Sequence, residues 1–319
     1  MFKAKFKAKG RANLITAFIA VIVSNLKALR GAPGCSCLLL TLLPALAWAD
    51  VTIATTIRPL QFIARAIVGD SGSVSSVIDQ QDSPHHYIVS PSDRINLQNA
   101  ELLLWIGPEF EVFLGDFFQR RSDSAVIIAV QSLPGLTLHQ LGNGQLDPHL
   151  WLDSNNALLL ASSLTSELSA IDPDSAHIYA ANLRAFATRL DSLNRQIQAQ
   201  FTGADRSDYL VYHDAYQYFE KQFGLNHGMA LLQDPELEPG MRDILAKRRE
   251  LQALTPACIF LEADSNPALI DTMLADQQPR QITVDLLGYD IDATSDAYVT
   301  LLQTVADQFA DCLYAGTDN

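Results

Sequence analysis

The stretch DSAHIYAANLRAFATRLDSLNRQIQAQF, residues 174–201, decides the fold. It contains no Gly or Pro, and its apolar residues recur at the three- and four-residue spacing of an amphipathic helix. At a rise of 1.5 Å per residue, such a helix is about 40 Å long, which is longer than one small lobe needs. We therefore predict a long, rigid linking helix over residues 172–202.

Short apolar runs alternate with helical stretches on both sides of this helix. Val51–Ala54, Leu102–Ile106 and Cys258–Leu261 are typical of buried strands, and amphipathic segments lie between such runs. This alternation indicates βαβ units and parallel sheets. The sequence therefore predicts an α/β protein with two lobes, each a mainly parallel sheet flanked by helices: an N-terminal lobe, residues 50–171, and a C-terminal lobe, residues 203–319.

The N-terminus has the pattern of a secretory signal. Lys27 and Arg30 supply positive charge, Leu38–Leu46 is apolar, and Ala47-Trp48-Ala49 is a small-x-small cleavage sequence. We expect a periplasmic protein from which residues 1–49 are removed. An uncleaved anchor or a buried helix is the alternative.

The charge of the chain excludes some partners. The 22 basic and 36 acidic residues give a net charge of −14, and seven of the basic residues lie in residues 1–49, which contain no acid. Without that segment, 15 basic residues face 36 acidic ones, a net charge of −21. So acidic a body repels phosphate backbones and anionic membrane surfaces. We expect no nucleic-acid partner and no stable membrane insertion, whereas cations are plausible ligands.

Removal of the signal leaves two of the four cysteines, Cys258 and Cys312. An even pair in an oxidising compartment favours a disulfide, and two buried free thiols are the alternative. A metal-binding role is disfavoured, because no C-x-x-C pairing is present.

Histidines at the ends of predicted strands indicate a metal site. His85 follows the second strand, His149 lies at the junction of the lobes, and His213 ends the first strand of the second lobe. Open α/β sheets bind ligands at this edge, and Asp285 also follows a strand. Three imidazoles and one carboxylate complete a tetrahedral zinc site. Three unrelated loop histidines are the alternative.

Four segments carry a family resemblance: Pro91-Ser92-Asp93 with Leu97–Leu102, Trp105–Glu111 (WIGPEFE), Asp147–Asp153 (DPHLWLD) and His213–Gly224 (HDAYQYFEKQFG). Together they resemble the periplasmic zinc-binding proteins of bacterial high-affinity zinc-uptake ABC transporters, within the wider family of zinc and manganese solute-binding proteins. The resemblance runs in order from Val51 to Cys312.

The resemblance implies two α/β lobes bridged by a rigid helix, and a monomer that captures Zn²⁺ and delivers it to an inner-membrane permease with its cytoplasmic ATPase. Carried over by position, it implies a Cys258–Cys312 disulfide and four metal ligands: His85, His149, His213 and Asp285. Histidine at the third position favours zinc. The stretch between Gln119 and Asp147 is poor in histidine and acids, which leaves manganese as the alternative cargo.

Neighbouring residues are candidates to orient the ligand histidines from behind, as such sites usually need. They are Asp214, Glu262 and His86, and a helix-capping role is the alternative for Glu262. His227, before Gly228, fits a turn. A zinc hydrolase is the competing function, but the sequence has neither H-E-x-x-H nor G-x-S-x-G. We therefore expect a binding protein and not an enzyme.

Overall fold

The computed structural model of the protein describes residues 50–78, 87–120, 125–203, 208–233, 235, 239–275 and 277–314. The predicted signal, residues 1–49, lies outside these ranges, as do His85 and His86. Within the ranges, none of the helices is both long enough and apolar enough to span a membrane.

Two four-stranded parallel sheets form the framework. The first has the strand order β2-β1-β3-β4, and the second has the equivalent order β6-β5-β7-β8. Their strands are β1 (Val51–Ile57), β2 (Gly72–Ile78), β3 (Leu102–Trp105), β4 (Val126–Ala129), β5 (Leu210–His213), β6 (Met229–Leu232), β7 (Cys258–Leu261) and β8 (Arg280–Thr283). The predicted parallel α/β architecture is confirmed.

Nine α-helices accompany the sheets in the described part of the chain. They are α1 (Arg58–Val68), α2 (Pro91–Asn99), α3 (Val112–Arg120), α4 (Ser154–Ile171), α5 (Ala176–Gln200), α6 (Gln217–Phe223), α7 (Met241–Leu251), α8 (Pro267–Leu274) and α9 (Ala297–Tyr314). A short 3-10 turn, Leu150–Leu152, precedes α4.

The long helix predicted from residues 174–201 is α5, which has 25 residues. Its apolar positions form one buried face, made of Tyr179, Phe186, Leu190, Leu193 and Ile197. This face covers the core, because α5 packs against α1, α4 and α9. The three- and four-residue spacing of apolar residues in the sequence thus reflects burial of one side of this helix, as expected.

The sequence analysis did not identify α4. Its start is fixed by Asp153, whose side chain accepts a hydrogen bond from the Asn155 N–H at 2.7 Å. Its buried stripe includes Leu160, Leu164 and Leu168. Leu158 and Leu159 are half-buried and lie outside this stripe, so the helical period is weaker than in α5.

The sequence pattern of residues 109–120 predicts a helix, but α3 begins only at Val112. The preceding residues form a turn, in which the N–H groups of Phe110 and Glu111 donate to the Gly107 carbonyl at 3.1 and 3.0 Å. Glu111 is fully buried in this turn. The Glu111 carboxylate accepts the backbone N–H groups of Ile106 and Gly107. It therefore stabilises this turn and does not belong to the first turn of the helix.

The two halves of the chain share one large hydrophobic core that includes residues from Val51 to Leu313. The last helix contributes much of it, since Leu301, Val305 and Phe309 of α9 are fully buried. Cys312 near the end of α9 is bonded to Cys258 at the start of β7, with a Cα–Cα distance of 5.7 Å. The expected disulfide is confirmed.

Candidate metal site

His149 is buried and held by a carboxylate two residues before it. The Asp147 Oδ1 atom lies 2.7 Å from His149 Nδ1 and also accepts the His149 backbone N–H at 3.0 Å. Asp147 is fully buried and His149 is 4% exposed. With its proton on Nδ1, facing the carboxylate, the ring presents the Nε2 lone pair on its other side.

His213 is the last residue of β5 and is equally buried. Its Nδ1 lies 2.9 Å from Oε2 of Glu262, the residue that directly follows β7, and Tyr216 Oη donates to the other oxygen of Glu262 at 3.3 Å. Burial lowers the pKa of the His213 imidazole, but attraction to Glu262 and the hydrogen bond with it outweigh burial, so the pKa is raised. The ring is again fixed through Nδ1, which leaves Nε2 to face the cavity.

The two rings, which we call the inner pair, meet through their Nε2 atoms at a distance of 3.2 Å. With both Nδ1 atoms protonated towards carboxylates, two lone pairs face each other, an arrangement that a cation between them stabilises. Two nitrogens bound to a tetrahedral zinc ion at 2.0–2.1 Å are separated by roughly 3.3 Å. The distance in the inner pair therefore fits two ligands of one metal ion.

A cavity of about 420 Å³ opens beside the inner pair. Its walls combine seven apolar residues with six polar ones: Glu109, Phe110, Val112, Phe113, Leu141, Gln145, Leu146, Pro148, His149, His213, Asp214, Gln233 and Pro235. The Phe110 ring lies edge-on to the His149 ring, with centroids 6.3 Å apart. Besides the two imidazoles, the lining includes the carboxylates of Glu109 and Asp214.

The predicted fourth ligand, Asp285, is engaged elsewhere. Its Oδ1 accepts the N–H groups of Leu287 and Gly288 at 2.9 and 2.8 Å, and its Oδ2 accepts that of Tyr289 at 2.5 Å. The same loop is bound from the first half of the chain, because Arg58 Nε donates to the Gly288 carbonyl at 3.0 Å. The Asp285 carboxylate thus shapes this loop, and it is not among the described residues that line the cavity.

The structure brings His149 and His213 together, but it does not complete a site from the described residues alone. Among them, no group of three histidine, cysteine, aspartate or glutamate side chains is placed to hold a metal ion. Two predicted residues, the ligand His85 and its neighbour His86, lie outside the described residues.

Of the residues predicted to orient a ligand, Glu262 contacts the His213 ring, whereas Asp214 lines the cavity. Asp214 is 7% exposed, and burial raises the pKa of its carboxyl group. Sequence reasoning missed Asp147 as the partner of His149. The Asp147-Pro148-His149 sequence could have indicated this contact, because a carboxylate two residues before a histidine is close enough to reach its Nδ1.

Known proteins are similar to this chain over most of its length. The family model of the periplasmic component A of the zinc-uptake complex, ZnuA, matches residues 53–312. The chain belongs to this family. The high-affinity zinc uptake system protein ZnuA of Yersinia pestis is 31% identical over 293 residues, which cover 83% of this chain and 92% of that protein.

Solved structures share the fold of this zinc-uptake family member. A crystal structure of ZnuA superposes with a TM-score of 0.72 at 23% identity, covering 82% of this chain and 98% of the other. The solute-binding protein FpvC from Pseudomonas aeruginosa, in complex with Mn²⁺, has a TM-score of 0.72 at 21% identity and covers 83% and 99%. The predicted family is confirmed, and at these identities the two structures support the fold alone.

Proposed function

We propose that the cavity beside the inner pair captures Zn²⁺, with His149 Nε2 and His213 Nε2 as two of its ligands. The observation that carries the proposal is the 3.2 Å separation of two Nε2 atoms whose rings are each fixed through Nδ1 by a buried or half-buried carboxylate. Metal-ligating histidines commonly donate their other ring N–H to a carboxylate in this way.

We assign the remaining ligands to His85 and to either Asp285 or water. His85 follows β2 in the chain, and its position matches the first histidine of the family motif. Asp285 matches the family carboxylate, but its three backbone hydrogen bonds favour water as the fourth ligand.

The family consists of periplasmic solute-binding components of uptake systems. We infer that this chain acts as such a component, exported by residues 1–49 and working as a monomer. It would hand its ion to an inner-membrane ABC permease driven by a cytoplasmic ATPase. We further infer a linking role for α5 between lobes at residues 50–171 and 203–319.

Zinc is the proposed cargo because imidazole is a borderline ligand that suits zinc, whereas manganese prefers oxygen ligands. Manganese is the second candidate, since FpvC has the same fold and its structure holds Mn²⁺. The Irving–Williams order places zinc above manganese for most sites, so a ratio of affinities is more informative than either value alone.

Calorimetric titration of the metal-stripped protein with Zn²⁺ and with Mn²⁺ tests the proposal. We expect one tight zinc equivalent, much weaker manganese binding, and loss of the tight equivalent in His149→Ala. The matched control is His177→Ala, because His177 is exposed on α5 and only its neighbour Asp174 contacts it. Manganese binding as strong as zinc binding would change the cargo, and tight zinc binding that survives in His149→Ala would overturn the site.

A further inference from the structure

Helix α7 carries a large share of the positive charge of the chain. Its sequence, MRDILAKRREL over Met241–Leu251, contains four of the 15 basic residues that lie outside the predicted signal. The chain without residues 1–49 has a net charge of −21, so this concentration of positive charge is local. Basic residues clustered on an amphipathic helix are typical of a surface that binds an anionic partner.

The sides of α7 differ in composition. Ile244 and Leu251 are two turns apart and pack against the hydrophobic cluster of the second sheet. Asp243 and Glu250 have the same spacing and share another side of the helix, where Lys247 Nζ lies 2.8 Å from Glu250 Oε2. The acidic residues of α7 are therefore separated from most of its arginines.

The remaining side of α7, which we call the arginine stripe, consists of Met241, Arg242, Leu245, Arg248 and Arg249. Met241, Leu245 and Arg249 follow one another at a spacing of four residues. Arg248 lies two turns after Met241. Arg242 lies two turns before Arg249, so the five residues share one side of the helix.

The arginine stripe is largely exposed. Met241 and Leu245 are 68% and 46% exposed, which is high for large apolar residues. None of the ion pairs between described residues involves Arg242, Arg248 or Arg249. Elsewhere in the described chain, four arginines each pair with an aspartate: Arg120, Arg189, Arg195 and Arg280. The guanidinium groups of the stripe therefore remain available to an external anion.

The position of α7 relates the arginine stripe to the metal cavity. Strands β5 and β6 are parallel, with His213 opposite Leu232, so their carboxyl ends meet at one edge of the sheet. The connection from β6 to α7 leaves from this edge, and its residues Gln233 and Pro235 line the cavity of the inner pair. A surface that binds α7 would therefore hold this side of the cavity near itself.

We propose that the arginine stripe binds reversibly to the anionic lipid surface of a membrane. The three guanidinium groups would pair with headgroup phosphates, and Met241 and Leu245 would contact the boundary between headgroups and acyl chains. Arginines on both sides of exposed apolar residues are typical of helices that lie in a membrane interface, which favours lipid over an acidic protein surface. The acidic remainder of the chain is repelled, so the contact selects one orientation without insertion.

The contact is weak and depends on salt. Each arginine near an anionic surface strengthens binding about fivefold, so three of them give roughly 100-fold. This attraction extends over about one Debye length, which is ~10 Å at 0.1 M salt. A role of the contact in delivery of the ion rests on the proposed function, whereas the contact itself rests on the composition and exposure of α7.

Co-sedimentation with lipid vesicles tests the proposal. It uses the exported form of the protein without residues 1–49, because the hydrophobic core extends from Val51 to Leu313. The vesicles contain either phosphatidylcholine alone or phosphatidylcholine and phosphatidylglycerol in equal parts. We expect binding to the mixed vesicles at low salt, no binding to phosphatidylcholine alone, and loss of binding at about 1 M salt, where the Debye length is about 3 Å.

Two double variants locate the contact. Arg242→Gln/Arg249→Gln should weaken binding to the mixed vesicles by at least about tenfold. The matched control, Arg184→Gln/Arg195→Gln, removes the same net charge from exposed positions on α5 and should bind nearly as the wild type does. Met241→Gln should also weaken binding, because a contact made by charge alone would not respond to it. All five positions are exposed, so we expect these variants to fold normally.

Several outcomes would overturn the proposal. They are absence of binding to the mixed vesicles, equal binding to both kinds of vesicle, and an equal effect of the two double variants. Cross-links from α7 to the permease without vesicle binding would assign the stripe to a protein partner instead. Failure of the proposed function has a different signature, because the tight zinc equivalent should be present in the wild type and unchanged in Arg242→Gln/Arg249→Gln.

Discussion

The two sheets have the same topology, yet the crevices at their carboxyl edges differ in chemistry. The strand order reverses between the two central strands of each sheet, which are β1 and β3 in the first sheet and β5 and β7 in the second. Open α/β sheets bind ligands at such points. In each sheet, a glutamate that follows the second of these strands reaches the end of the first one. Glu111 does so in the first sheet, and Glu262 does so in the second.

The partners of the two glutamates account for the difference. Glu111 is fully buried, and it accepts the Thr56 hydroxyl at 2.5 Å and the N–H groups of Ile106 and Gly107 at 3.0 and 2.8 Å. Glu262 instead faces the His213 imidazole at 2.9 Å. The hydroxyl and N–H partners of Glu111 offer no further metal-binding atom, whereas the imidazole that contacts Glu262 has a second ring nitrogen that can bind a metal ion. Both crevices follow from the topology, and in the proposed function the His213 side chain makes the second one suited to a metal ion.

The largest expected effect comes from removal of that imidazole. His213→Ala should weaken zinc binding by more than about 100-fold, because loss of a ligand costs more than the roughly 10–100-fold typical of outer partners. Thr56→Val removes the counterpart hydroxyl at the end of β1 and should leave zinc affinity within about threefold. Competition with a chromogenic chelator measures both, and an equal effect of the two substitutions would contradict the comparison.

The next effect separates the two glutamates by function. Glu262→Ala should lower zinc affinity by roughly 10–100-fold, because the His213 ring loses the partner that fixes it. Glu111→Ala should change it much less, since the described contacts of Glu111 are with Thr56, Ile106 and Gly107. Calorimetric titration of both variants with Zn²⁺ checks this, and the comparison fails if Glu111→Ala is the weaker binder.

The free energy of unfolding should decrease more in Glu111→Ala than in Glu262→Ala, which is the reverse of the order expected for zinc affinity. Glu111→Ala leaves two buried N–H groups without an acceptor and should lower the free energy of unfolding of the metal-free protein by roughly 1–3 kcal/mol. Glu262→Ala should cost less, because the Glu262 side chain is 15% exposed and water can replace it. Urea denaturation near pH 5 measures the free energy of unfolding of both variants. At this pH, Glu111 is still protonated in the folded wild type, because burial raises its pKa to about 7. A larger loss for Glu262→Ala would reverse the assignment.

The smallest effect is a pH slope that belongs to Glu111. Burial raises the pKa of its carboxyl group from 4.5 to about 7, although its hydrogen bonds oppose the rise. The folded state therefore retains a proton that the unfolded state releases, and the stability this provides is complete below pH 4.5 and lost as the pH rises through about 7. The stability difference between wild type and Glu111→Ala should fall over this interval, by at most about 1.4 kcal/mol per pH unit. A flat difference would mean that Glu111 is ionised throughout.

The fold was largely predictable from the sequence, because buried parallel strands and the helix α5 have strong local signals. The helix α4 was missed because leucines outside its buried stripe weaken the helical period, and the start of α3 was misplaced because Glu111 stabilises a turn. These are tertiary effects, which residue spacing does not record.

The candidate site was predictable in part for the same reason. His213 ends a strand and His149 lies in a short motif, so both were identified from local sequence. The contact between their Nε2 atoms joins residues 64 positions apart. The position of His227 in a turn was predicted, but its contacts with Glu220 and Asp214 depend on how α6 packs, and no local pattern reveals them.

The place of α9 in the core has a consequence for biosynthesis. Among the described helices, α9 is the last to be synthesised, yet it packs against α1, the first of them, and against α5. Until it emerges, the part of their apolar surface that α9 covers is exposed, so the core is incomplete before this helix has been made. Exposed apolar surface of this kind is prone to aggregation until α9 has been added.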